Sequence, residues 1–264
     1  MSFAQTGFDR RRINGPEESK HPVFDDEHTQ EAEELLPRKG RSPTELRPIF
    51  LQPGLVSQAN GSAYIETQNT KIACAVYGPR QSSQSTAYSE RAKLNVEVKF
   101  APFSCTKRRV PIRDAEDRSI STSIHQALLA SLRLDLLPKT TIDVFINIIE
   151  ADGLEACVAA GSIAASTALA DAGIEMFGLV VACAAAVVGE ETFLDPTDRE
   201  SRASTGSVVL ACMPALGTVT SLWQSGRMKP VDVIECAKIC EKKCTEIHSI
   251  VAQALLDSPN LNQS

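Results

Sequence analysis

Between Leu154 and Val188 the chain carries its two most apolar stretches in close succession. Residues 155–171 are dominated by Ala, with Gly161 and Ser162 among them, and predict a helix slim enough to lie close against a sheet. Leu179–Val188 contains no charged residue and predicts a strand. Whatever fold this chain adopts must therefore lay a small-residue helix on a sheet.

The flanking sequence repeats both periods. Gly61–Glu66 and Lys71–Tyr77 read as strands joined by a turn at Gln68-Asn69. Leu94, Val96, Val98 and Phe100 alternate with polar residues, as do Ile142, Val144, Ile146 and Ile148, so each set marks a strand. Ile120, Ile124, Leu128 and Leu132 recur every four residues and predict an amphipathic helix over 116–136, closed by Pro138. Beyond Val188 come a turn at Gly189-Glu190, a short strand ending near Leu194, and a pair of strands at Ser207–Met213 and Thr218–Trp223. Pro230, suited to a first helical position, opens a last helix reaching about Leu256. Strands and helices are interspersed without strict alternation. The expected class is α+β, a mixed sheet with helices packed on it.

Residues 1–44 are of another kind. Arg10–Arg12 form a basic start, Asp25, Asp26, Glu27, Glu31, Glu33 and Glu34 an acidic middle, and Arg38, Lys39 and Arg41 a basic end. Too little apolar surface is available there to offset the entropy of ordering, so a flexible arm is expected before a domain at 45–257, with a short tail at 258–264. The formal net charge of -6 argues against coating nucleic acid through bulk charge, although a local basic track remains compatible with it. Residues 1–20 contain charges and no continuous apolar segment, so no secretory leader is expected. Most of the eight cysteines sit in apolar runs, as buried thiols of a reducing compartment do. The Ala-rich stretch 156–170 looks too short and too weakly hydrophobic to span a membrane.

Chemistry-bearing constellations are few. Cys236, Cys240, Cys244 and His248 follow at four-residue steps, but one helix cannot close a tetrahedron with them, and they continue an apolar stripe. No metal site is expected. No phosphate-binding glycine loop follows a predicted strand, and no nucleophile elbow accompanies the four histidines. His125 reads as a partly exposed helix residue. Lys107, Arg108 and Arg109, with Arg113 and Arg118 beyond, leave a strand end as a group able to hold phosphates without reading sequence.

Several segments in order resemble the RNase PH family: Leu46–Ile49, Gly61–Glu66, Asn69–Ile72, Tyr77-Gly-Pro-Arg80, Phe100–Ser104, Ile142–Phe145, Glu150–Gly153, Ala168–Gly173 and Leu194-Asp195. The resemblance covers roughly residues 44–256. It implies a two-layered α+β domain of the ribosomal protein S5 domain 2-like kind. Arg11–Ser19 is similar to the N-terminal signature of one eukaryotic subunit of the RNA exosome ring. By that resemblance the partners would be the other RNase PH-like ring subunits, S1/KH-type cap subunits, associated exoribonucleases and RNA. The locations would be nucleus, nucleolus and cytoplasm, with no membrane and no cofactor.

Active members of the family carry a Gly-Thr/Ser-Arg type loop before the Ala-rich helix and an acidic pair six residues apart. Here the loop is Asp152-Gly153-Leu154-Glu155-Ala156, and the pair is Asp195 followed by Ser201. A carboxylate about 4 Å from a bound phosphate repels it by several kcal/mol at intermediate dielectric. The resemblance therefore implies a degenerate former site at Glu155, Asp195 and Ser201, with no catalytic residue and no guanidinium at the pocket. Its competitor is a phosphorolytic 3'-to-5' exoribonuclease using Asp195, Asp198 and Glu200 in a diverged arrangement. The same resemblance assigns RNA contact to Lys107, Arg108, Arg109 and Arg118, and more weakly to Arg80.

Overall fold

The computed structural model describes residues 38, 40–81, 89–106, 108–110, 114–189 and 191–258. The signature Arg11–Ser19, the expected arm up to residue 37, Lys107, Arg113, Glu190 and the tail 259–264 lie outside the described residues. The described residues from Gly40 onward form one compact unit.

Its first half builds a mixed five-stranded sheet. In chain order the strands are β1 (Phe50–Pro53), β2 (Gly61–Thr67), β3 (Thr70–Gln81), β4 (Lys93–Phe100) and β5 (Thr140–Glu150), laid side by side as β1-β2-β3-β5-β4. Only β4 and β5 run parallel. Helix α1 (Ala115–Leu129) crosses over between them. Its start is a capping box. Asp114 Oδ1 accepts from Ala115 N at 2.7 Å and Asp117 Oδ2 accepts from Asp114 N at 3.2 Å. The second half holds a four-stranded antiparallel sheet from β6 (Val181–Val188), β7 (Glu191–Leu194), β8 (Gly206–Met213) and β9 (Thr218–Gly226), ordered β7-β6-β8-β9. Helices α2 (Leu154–Asp171), α3 (Asp198–Ala203) and α4 (Pro230–Leu256) complete the unit.

The Ala-rich segment is α2, and it lies between the sheets. One side meets β2 and β3, the other β6 and β8. Small residues set the spacing: a Cβ built on Gly61 of β2 would stand 2.3 Å from Ala168 O and from Ala172 N. Helix α4 covers β6 and β8. With α2 and α4 both packed on them, every residue of β6 and β8 is buried, which explains the unbroken apolar run. Where two layers were implied, four elements are thus stacked: sheet, α1 and α2, second sheet, α4. Helix α2 also reaches membrane-spanning length and composition, with 18 residues and a mean hydropathy of 1.2, contrary to the reading of that stretch as too short; 83% of it is buried inside the protein.

Other differences have local causes. The helix expected to reach 136 stops at Leu129, because Ser131 N and Ser131 Oγ both bond to Leu128 O, at 2.9 and 2.8 Å. The chain then turns to pair Leu132 with Met176. The cysteine stripe of α4 runs into the core. Cys236, Cys240, Cys244, Ile247 and Val251 are all buried, facing the second sheet.

Gly61→Ala is expected to lower stability by about 1–3 kcal/mol, because the new methyl meets backbone that cannot rotate away. Urea unfolding midpoints measure it; a shift within experimental error would mean that the α2–β2 contact is looser than these distances imply.

Candidate functional site

Four segments meet at the N-terminus of α2. Asp152 and Gly153 leave β5, Asp195 follows β7, α3 begins just after, and the chain before β1 brings in Arg41 and Arg47. Gly153 holds the positive φ of 95° that the turn into α2 requires. Asp195 also has a positive φ, 50°.

Arg47 is the hub. It is 2% exposed although it is an arginine. Its Nε and Nη2 donate to the two oxygens of Asp195 at 2.7 and 2.5 Å, and its Nη1 donates to Asp152 Oδ2 at 2.8 Å. Such a two-toothed grip is the strong geometry for a guanidinium on a carboxylate. Burial alone would lower the Arg47 pKa. The hydrogen bond and charge of Asp195, with the charges of Asp152 and Glu200, outweigh burial and hold it above the ordinary value. For Asp195 the balance is the mirror image: burial would raise its pKa, but Arg47, and then Arg41, hold the carboxyl below the usual carboxylate range. Arg41 Nη2 donates to Asp195 O at 2.5 Å, and Arg41 stands 3.8 Å from Glu200 Oε2. Leu194 N donates to Pro43 O at 2.8 Å, so residues 41–43 are anchored against the end of β7.

The expected degenerate trio is only partly one cluster. Glu155 and Ser201 touch: Ser201 Oγ donates to Glu155 Oε2 at 2.7 Å, and Ser207 Oγ donates to Glu155 Oε1 at the same distance. Glu155 is buried in the first turn of α2, where its charge complements the helix dipole. Asp195 belongs to the neighbouring arginine network, which reaches the same turn through Asp152. Asp152 Oδ1 in turn accepts from Asp198 N at 2.9 Å at the start of α3. Asp198 faces Arg202 at 2.7 Å, and Glu200 Oε2 accepts from Thr197 N at 2.8 Å in a second capping box.

The expectation that no guanidinium stands here is corrected. Two do, supplied from upstream of β1. In the sequence Arg41 lies in a charged arm and Arg47 in a motif whose residue types assign it no role, so neither is marked as a site residue by local pattern. The signal was available in Leu46-Arg47-Pro48-Ile49, a lone arginine among apolar neighbours, which is buried only when paired. The Thr197–Glu200 capping box likewise announced α3.

The basic residues lie elsewhere. Arg108 and Arg118 are exposed. Arg109 is half-buried, its guanidinium 4.0 Å from the centre of the Phe100 ring and its Nη2 2.6 Å from Glu116 Oε2. Arg80 on β3 is exposed and pairs with Asp143 on β5, which also accepts from Asn95 Nδ2 at 2.8 Å. Asp143 and the half-buried His125 line a groove of about 450 Å³ between α1 and strands β4 and β5.

Comparison with known proteins matches the 3' exoribonuclease family: its domain 1 over residues 45–175 and its domain 2 over 178–243. The chain is 36% identical over 252 residues to exosome complex component mtr3 of Schizosaccharomyces pombe, covering 94% of this chain and 96% of that one. It is 34% identical to exosome complex component MTR3 of Homo sapiens, covering 94% of each. Among solved structures, rice (Oryza sativa) Rrp46 superposes with a TM-score of 0.73 at 22% identity, over 82% of this chain and 98% of that one, a likeness of fold.

Arg47→Met is expected to cost about 3–5 kcal/mol, since it leaves Asp195 and Asp152 without their shared guanidinium. Adding Asp195→Leu should recover part of that loss in denaturant unfolding. The pH dependence follows from the lowered Asp195 value. Its contribution is held from neutral pH down to the ordinary carboxylate range, about 3.9, and is lost as pH falls through the lower folded value. A melting-temperature series should show Asp195→Asn less stable at pH 7 and converging on the wild type in strong acid.

Proposed function

The chain belongs to the 3' exoribonuclease family, and from that membership we propose that it is a non-catalytic subunit of an RNA exosome ring, scaffolding the complex and guiding RNA for 3'-to-5' processing and degradation. The relatives that carry the exosome component name match nearly end to end, which supports the same assembly here. Its partners are the other RNase PH-like ring subunits, S1/KH-type cap subunits, associated exoribonucleases and RNA, in nucleus, nucleolus and cytoplasm. Residues 1–44, 45–257 and 258–264 divide it into arm, ring-forming domain and tail.

The observation that carries the inactive reading is the way the former phosphate cradle satisfies itself. Phosphorolysis needs a free anion seated beside an anionic diester, with positive charge and N–H donors waiting for it. At the start of α2 stands Glu155, held by Ser201 and Ser207. The guanidinium of Arg47 is already gripped by Asp195 and Asp152, and orthophosphate would have to displace a two-toothed, buried carboxylate to use it. The competing diverged catalyst requires Asp195, Asp198 and Glu200 to be available. Each is engaged, with Arg47, Arg202 and the Thr197 amide respectively.

RNA contact is assigned to the exposed Arg108 and Arg118 first. Lys107 is carried along by its place in the same basic run, and Arg109 and Arg80 contribute less because Glu116 and Asp143 hold them.

Purified chain incubated with RNA and inorganic phosphate should release no nucleoside diphosphate above background. Release that Asp195→Ala abolishes would establish the catalytic reading instead. For RNA guidance, Arg108→Ala with Arg118→Ala should weaken single-stranded RNA binding by the assembled complex. The salt dependence should flatten by about 0.7 in log–log slope for each phosphate that the double variant no longer neutralises. An unchanged slope in a fluorescence titration would remove both residues from the RNA path.

A further inference from the structure

We propose that Phe103 and Arg108 together grip one nucleotide of single-stranded RNA, the phenylalanine ring stacking on the base while the guanidinium holds the phosphate. This rests on the RNA reading above, which assigns basic side chains alone, and adds a residue that binds the base.

Phe103 is carried outward by a pinned turn. After β4, Ser104 N donates to Ala101 O at 3.0 Å and closes a turn with Pro102 at its second position and Phe103 at its third. The turn is tied down on both sides, because Ala101 N donates to Ile148 O and Ala151 N donates to Ser104 O, each at 2.9 Å. Ser104 is buried, while Phe103 is 70% exposed. Among the described residues two other phenylalanines are more than half exposed, and both are engaged. Phe50 meets Tyr64 edge-on at 6.5 Å, and Phe177 lies 5.9 Å from the Arg133 guanidinium. No ring or guanidinium among the described residues faces Phe103.

The chain then brings a cation to its side. Arg109 N donates to Pro102 O at 2.9 Å, which makes those two residues neighbours and puts the next ones inward, Phe103 and Arg108, beside each other. Arg109 itself is turned back onto Phe100 and Glu116 and holds the two ends together. Arg108 is exposed, and among the described residues no carboxylate pairs with it. An aromatic face on a fixed turn loses little freedom when a base stacks on it, and stacking accepts any base because each has a π-face. A protein neighbour covering the ring would have to bring a carboxylate for Arg108. A nucleotide carries a flat base and an anion on one unit, which is the pair of groups these side chains call for.

The test uses the complex recovered through the tagged chain and single-stranded RNA carrying 5-iodouridine, which on irradiation joins to an aromatic ring stacked against it. Mass spectrometry of the digested wild-type complex should find the adduct on Phe103. Phe103→Ala should remove it and weaken binding about fivefold or more, with the salt dependence unchanged because no phosphate contact is lost. Phe103→Tyr should keep both adduct and affinity, whereas Phe103→Leu, apolar but without a ring, should keep neither. Adducts confined to other residues, or Phe103→Ala binding as tightly as the wild type, overturn the inference while leaving Arg108 and Arg118 to hold RNA. A complex whose binding ignores those arginines as well overturns both readings. Failure of Phe103→Ala to enter the complex would mean that a protein neighbour covers the ring, and that too overturns the inference.

Discussion

The paired burial of Arg47 ties together parts of the chain that are far apart in sequence. One guanidinium from before β1 binds Asp152 at the end of β5 and Asp195 after β7, and so joins the first sheet to the second at the mouth of α2. A buried ion pair adds little net stability compared with a well-packed apolar substitute, but losing one partner is costly. The network therefore acts as a geometric lock. Segments that would otherwise move independently around the start of α2 are held in a single arrangement.

That arrangement also decides the chemistry. A helix N-terminus attracts anions, and here the anion is internal. Glu155 fills the first turn of α2 and is held by two serine hydroxyls, while the positive charge nearby is matched by Asp195 and Asp152. The same kinds of group that could bind phosphate and stabilise a developing charge are turned toward one another. Scaffold and candidate site are one network, so altering the chemistry without disturbing the fold is difficult.

Much of the architecture was legible from local pattern. The hairpin segments became β2 and β3, the period-two segments β4 and β5, the apolar run β6, and the cysteine stripe of α4 proved to be core, because turns, strand alternation and helical stripes are set by near neighbours. α1 was overrun by seven residues, since the pairing of Leu132 with Met176 depends on a segment more than forty positions away. β1 and α3 were missed. Four and six residues give too short a window for periodicity, although the capping box of α3 was readable.

At the site, the residue types alone placed Glu155 at the start of the Ala-rich helix and Ser201 six positions after Asp195. Which charges those groups meet was decided by tertiary structure. Arg41 and Arg47 lie more than a hundred residues from the carboxylates they bind, and no local pattern encodes such a pairing. Periodicity reports which face of an element is buried. Electrostatic partnership depends on where distant elements come to rest, and only the folded chain brings them together.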